Sequence, residues 1–309
     1  MASITDLKIA MRNYGIRKVN INGVQNVNNE ILINEIKIYI DKDKEVFIKA
    51  SFEEDINYEL YLYPSAFTDL YSSVNDSAHL FFNIIPMNKY GNIIMGSFEG
   101  KLKLNVSHGD INARNLAQLK SIKLKYGKLK AKSVKKGDIY ARFAKIRIDE
   151  VENIDLDCAS SEVEIEKANR IVIKSLSDEI EVEKANSIQI NSSFSDIEIE
   201  ELNTSIKGNV KHGSLDVDLV HHSFNEISLN GQNTDIELNF TPNSSFEYFV
   251  QLEKGESFIV PSNGNNLKAD NSFDNIHQYE GTFSRETLSE NLPKIRIIAK
   301  HSFVQFDIN

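Results

Sequence analysis

A single cysteine, Cys158, stands in a chain of 309 residues. That excludes an internal disulfide framework and leaves the redox compartment unmarked. Long apolar runs are missing too. The richest patch, LFFNIIPM from Leu80 to Met87, is far shorter than the about 20 residues that a helix needs to cross a bilayer. The opening segment MASITDLKIAMRNYGIRK has no apolar stretch behind a basic start, so it is not a secretion signal, and on this reading the chain is soluble and cytoplasmic. No glycine-rich phosphate loop, zinc-protease helix or nucleophile elbow occurs. Positive charge is in the minority: 35 Lys and Arg against 45 Asp and Glu leave a net charge of −10. Such a balance favours solubility and weighs against nucleic acid as the partner of the whole protein. With 41% hydrophobic and 26% charged residues and no long low-complexity tract, the chain has the material for a sizeable core in one or two domains.

What the chain has in abundance is repetition. EVEIEKAN at Glu162–Asn169 returns as EIEVEKAN at Glu179–Asn186. A tetrapeptide recurs as HGDI at His108, YGKL at Tyr126, FAKI at Phe143, SSEV at Ser160, SDEI at Ser177, FSDI at Phe194, HGSL at His212 and NTDI at Asn233. Subtracting those positions gives spacings of 18, 17, 17, 17, 17, 18 and 21. YGNI at Tyr90 fits one repeat upstream, and HSFV at His301 is an outlying copy. The columns are apolar: Ile111, Leu129, Ile146, Val163, Ile180 and Ile197 hold one position, and Ala113, Ala131, Ile148, Ile165, Val182 and Ile199 hold another two residues on. A period of two within each repeat predicts β-strand with one face buried. No 3.6-residue stripe lies between strands, which excludes leucine-rich-type helices.

Units of about 17 residues cannot bury their own apolar face, so they must stack on copies of themselves. The expected fold is therefore all-β: a parallel β-helix (β-solenoid) of about nine coils, each with two short strands, capped at both ends. At the usual strand spacing nine coils would extend roughly 43 Å. The second tetrapeptide position (Gly109, Gly127, Ala144, Ser161, Asp178, Ser195) is small or turn-forming, which suits a corner that bends sharply or takes φ > 0. Asn169, Asn186 and Asn203 recur at another corner and suit an amide ladder. The domain reading is an N-terminal β-rich cap over 1–88, solenoid repeats over 89–240 and a C-terminal β cap over 241–309. The N-terminal cap includes a short amphipathic helix near Ile4–Arg12.

SHGDINARNL, KHGSLDVDLV and the closing PKIRIIAKHSFVQFDIN resemble a bacterial adhesin-type family of β-strand-repeat proteins of unknown function. The resemblance covers roughly Tyr90 to Asn309. It implies a single-stranded parallel β-helix and a cell-surface location, and it carries over no catalytic motif.

The outward position between the two apolar columns runs Asn112, Lys130, Arg147, Glu164, Glu181, Glu198, Asp216, Glu237. From Lys120 to Arg147 there are eleven Lys or Arg against Asp138 alone; from Val151 to Ser205 there are fourteen Asp or Glu against four basic residues. A basic band thus adjoins an acidic one in sequence. Carboxylates about 5 Å apart in water repel by only about 0.8 kcal/mol, so the acidic face of Glu164, Glu181 and Glu198 is foremost a solvated surface. Ca²⁺ bridging and a carboxylate-pair glycosidase are the lesser readings. The basic band of Lys123, Lys125, Lys128, Lys130 and Arg147, with Tyr126, Tyr140 and Phe143 to stack on bases, is read first as solvated and second as a binder of an anionic polymer. His108 and His212 share one repeat column, and His221–His222 lacks a third ligand at any recognised spacing. Cys158 falls in an inward column with Val106, Leu124, Ala141 and Ser175. No catalytic, cofactor-binding or metal residue is assigned. The expectation is a non-enzymatic interaction protein that binds a protein or surface polysaccharide through long charged faces. Alternatives are a carbohydrate-active β-helix enzyme and an anionic-polymer binder. Basic band set against acidic band also predicts a weak, salt-sensitive homodimer.

Overall fold

The computed structural model describes residues 102–308 apart from 255–256 and 285–291, and ahead of them the backbone of the strands between residues 18 and 101. Among the described residues there is no helix. The expected helix near Ile4–Arg12 lies outside them. The fold is an all-β parallel solenoid, and the chain divides into two compact units, Met1–Asp157 and Cys158–Asn309.

In the first unit Lys18–Asn22 runs antiparallel to Asn57–Leu62, and Ile33–Ile40 antiparallel to Glu45–Phe52. Parallel coiling follows. Glu45–Phe52 pairs with His79–Pro86, which pairs with Phe98–Ser107, while Asn57–Leu62 pairs with Gly91–Met95. Ile111–Lys125 then stacks on Lys128–Arg142, which pairs in turn with Lys145–Ala159. The columns read from the repeat are the observed register: Ile111 opposes Leu129, Ala113 opposes Ala131 and Ile122 opposes Ile139, all buried.

The second unit is built in the same way. Glu162–Leu176, Glu179–Ser193 and Asp196–Val220 are parallel neighbours, with Val163, Ile180 and Ile197 in one buried column and Ile165, Val182 and Ile199 in the next. Asn186 Nδ2 donates to Asn169 Oδ1 at 3.0 Å, and Asn203 Nδ2 to Asn186 Oδ1 at 3.2 Å, so the amide ladder forms. Further on, the rounded corner is replaced by matching turns: the Phe224 N–H donates to the His221 carbonyl, and the Ser244 N–H to the Thr241 carbonyl, both at 3.0 Å. The extra residues of the first turn account for the longest repeat spacing.

Two expectations about the coil need correction. Most coils are one bent strand of 15 residues, as in Glu162–Leu176, rather than two short strands, and Asp196–Val220 runs on through the next corner as a strand of 25 residues. Pairing with the neighbouring coil resumes on both sides of the bend, with a register shift there in some coils, as between Ala185 and Ser187, so the strand runs on. The left-handed conformation also belongs to the first tetrapeptide position, not the second: φ is 56° at His108, 54° at Tyr126, 53° at Phe143, 52° at Ser160, 60° at Ser177 and 56° at Phe194. That residue turns the corner while its N–H still donates to the next coil, as from Tyr126 to Arg142 (3.1 Å) and from Phe194 to Lys211 (2.8 Å). The carbonyl of the second residue accepts in the same ladder, from Lys145 to Gly127 and from Asp196 to Asp178, both at 3.0 Å. The first residue's N–H and the second residue's carbonyl are thereby satisfied, which offsets in part a conformation that non-glycine residues seldom adopt. Smallness at the second position answers to close approach instead: a Cβ on Gly127 would lie 2.0 Å from the Gly109 carbonyl oxygen.

The C-terminal segment re-enters the solenoid out of chain order. Lys294–Lys300 is inserted between Glu226–Phe240 and Phe246–Glu253, parallel to both. Phe303–Ile308 follows after a left-handed corner at His301 (φ 50°), so HSFV is a true copy of the repeat. An antiparallel sheet of Phe246–Glu253, Ile276–Phe283 and Asn265–Phe273 leaves this end. Phe224, Phe240, Phe246, Phe283 and Phe306 are buried together beneath it, with ring centroids 4.5 to 6.1 Å apart.

Candidate functional site

The corner column is where sequence and exposure part company. Ser160, Ser177 and Asn233 show that a small polar residue suffices to turn it. Yet Tyr126, Phe143 and Phe194 place large rings there, 43%, 53% and 59% exposed. In the first unit the rings stack on each other: His108 on Tyr126 at 4.7 Å and 20°, and Tyr126 on Phe143 at 5.1 Å and 12°. Strand spacing of about 4.8 Å sets these distances, so one aromatic per coil gives face-to-face contact without adjustment. Both faces of Tyr126 are therefore occupied. The expectation that Tyr126 stacks on nucleic-acid bases is corrected: it offers only its edge.

Around this ridge stands the basic face. Lys123 and Lys125 precede the corner and Lys128 and Lys130 follow it, all exposed. The Lys125 ammonium lies 5.0 Å from the Tyr126 ring centroid and that of Lys123 5.5 Å from Tyr140, within cation–π reach. The Lys128 backbone N–H donates to Asp110 at 2.9 Å, but among the described residues none of these four ammonium groups forms an ion pair. Arg147 is exposed on the next strand and does have partners of its own. Asp138 beside Tyr140, and to a smaller degree burial, hold that phenol above its ordinary pKa. Arg142 is engaged, bridging to Asp157 at 2.6 Å. The sequence thus located the basic residues but not the ridge that organises them, since stacking depends on which residue occupies the corner.

In the second unit Glu164, Glu181 and Glu198 form one registered column, with Glu164 half-buried and the other two exposed. Partial burial among its neighbours, then Glu164 and Glu198, push the Glu181 carboxyl above its usual range. The column is uniform, and it sets no pair of carboxylates apart. Lys184 pairs with Glu201 at 2.6 Å on the adjoining face. Asp216, flanked by Glu237 and Glu198, is held up in the same way, first by burial.

Several sequence candidates resolve as structural. Cys158 is buried and its thiol donates to the Lys174 carbonyl at 3.6 Å. His221 Nδ1 shares a hydrogen bond with Ser223 Oγ within its turn, 2.8 Å, and its ring lies 4.1 Å from that of His222. Among the described residues no three His, Cys, Asp or Glu converge as metal ligands. One group was missed. Asp178 is buried at the second corner position, where its carboxylate accepts from the Ser161 N–H (2.7 Å), the Leu176 N–H (2.8 Å) and the Ser175 hydroxyl (2.7 Å). The signal was present as small polar residues in that column, which face inward and tie three coils together.

These features define an all-β repeat protein, a parallel β-solenoid whose surface chemistry is set coil by coil. No protein-family profile, curated protein or solved structure matches the chain.

Proposed function

We propose that this is a non-enzymatic binding protein of the adhesin type, which holds an anionic surface polymer along its basic face. The observation that carries the reading is the set of four unpaired ammonium groups, Lys123, Lys125, Lys128 and Lys130, arranged on both sides of a stacked aromatic ridge. Lys123 and Lys125 on one strand and Lys128 and Lys130 just beyond the corner repel one another mildly, and a polyanion laid along this face removes that repulsion while releasing its own counterions. The coils repeat at strand spacing, so the face suits an extended chain rather than a compact ligand. The resemblance of SHGDINARNL and KHGSLDVDLV to adhesin-type repeats supports the same reading, as does the uniformity of the acidic column, which singles out no acid–base pair.

The test is retention on immobilised heparin at low salt. Replacing Lys123, Lys125, Lys128, Lys130 and Arg147 together by Ser is expected to abolish retention, and replacing one lysine at a time to lower the salt dependence by about one unit of slope. Unchanged retention of that variant overturns the proposal.

A further inference from the structure

In the aromatic column of the second unit Phe194 has a single stacking partner among the described residues. His212 stacks on one face of Phe194, with centroids 4.7 Å apart and planes 8° from parallel. The other face is turned toward the coil of Ser177, whose N–H donates to the Ser193 carbonyl at 2.9 Å. A serine occupies the corner there, and its side chain is too short to cover a ring. At 59%, Phe194 is accordingly more exposed than Tyr126 or Phe143. Leu176, 51% exposed and adjacent to that corner, adds an apolar wall beside the open face. The corner does not need a phenyl group, because Ser160 and Ser177 turn it equally well. Neither the core nor the backbone therefore explains Phe194.

Charge narrows what the open ring accepts. Glu162, Glu179 and Asp196 form a registered, exposed column beginning two residues beyond the corner, and Glu164, Glu181 and Glu198 form a second behind it. On the other flank stand Lys174 and Lys211. The balance repels anions and attracts cations, and a phenyl face itself favours a cation laid over it. A pyranose ring carrying an ammonium group satisfies both demands: its flat C–H face covers the phenyl ring, and its nitrogen reaches the carboxylate column.

We infer that the open face of Phe194, walled by Leu176 and flanked by Glu179 and Asp196, is a binding platform for an amino-sugar polymer with free ammonium groups. Coil spacing repeats the carboxylates, so successive sugars meet successive acids. This platform lies on the second unit and takes a ligand of opposite charge to the one proposed for the lysine face, so either reading can fail without the other.

Titration calorimetry of the full chain with a glucosamine hexamer at low ionic strength tests it. Two variants built from the column's own residues are used. Phe194→Ser removes the ring, and Ser177→Phe closes the open face with a third stacked ring. Each is expected to weaken the hexamer by about ten-fold or more. Ser177→Phe is expected to melt no lower than the parent, which separates lost binding from lost folding. The fully N-acetylated hexamer and hexalysine are expected to bind weakly and without regard to either substitution. The inference is overturned if the glucosamine hexamer does not bind, if either variant binds it as the parent does, or if hexalysine shows the same dependence on Phe194. That last outcome would mark the platform as a surface for basic peptides.

Discussion

Replacing Val182 by Asp probes the register of the solenoid directly. Val182 is fully buried between Ile165 and Ile199 in successive coils. Losing its side chain from the core removes about 1.5–3 kcal/mol of burial. A carboxyl group in that position finds no partner, and leaving it unsatisfied costs about 1–3 kcal/mol even when neutral. At pH 7 the group must also be kept protonated, which from an ordinary pKa near 3.9 costs about 4 kcal/mol. The total, about 7–10 kcal/mol at pH 7, is comparable with the whole stability of an ordinary domain. Because the introduced acid has a folded-state pKa above its unfolded value, the charge penalty is absent below about pH 3.9 and grows as the pH rises. Near pH 4 the loss should therefore fall to about 3–6 kcal/mol. Thermal melting by circular dichroism at the two pH values measures this, with Val182→Ala as a control whose loss carries no such pH dependence. A Val182→Asp protein that melts like the parent at pH 7, or whose deficit does not shrink on acidification, would refute the placement of this column in a dry core.

Glu181→Gln should raise stability by about a few tenths of a kcal/mol at neutral pH, since like charges directly opposite each other destabilise a sheet and exposed pairs are well screened. The wild-type carboxyl has a raised pKa, so its penalty appears only as the pH rises through that value, and the gain should vanish in acid; a gain that persists in acid contradicts the cause. Gly208→Ala places a Cβ 1.8 Å from the Ile190 carbonyl oxygen at φ +148°, and should cost at least about 1–3 kcal/mol in chemical denaturation, whereas a neutral result would mean that the coils stand farther apart. Cys158 should resist a thiol reagent in the native protein and react once in denaturant; rapid native labelling would place it outside the core.

Several details were legible before any coordinates because the solenoid reuses one template. Ladder contacts such as Asn169–Asn186–Asn203 follow from equal spacing alone, since parallel in-register strands set identical residues beside each other. The aromatic ridge was half legible. His108, Tyr126 and Phe143 fall in one column of the tetrapeptide, but the repeat alone does not say that this column is the exposed left-handed one. Asp178 was hidden for the converse reason: a charged residue in a turn-like column suggests solvent, and only the converging N–H and hydroxyl donors turn it inward.

The sequence by itself determined the repeat, its register and the faces of its strands, because alternation with a period of two and a near-constant spacing leave one way to bury every apolar column. Tertiary structure alone decided how the C-terminal end closes. Lys294–Lys300 enters between Glu226–Phe240 and Phe246–Glu253 rather than following in chain order, and the phenylalanines on either side of it pack around the insertion. Backbone hydrogen bonds between parallel strands are blind to side-chain identity, and any coil with the right alternation fits any neighbour. Which strand lies beside which is then set by the fit of large rings at the end of the stack, and that is a property of the packed molecule that no periodicity records.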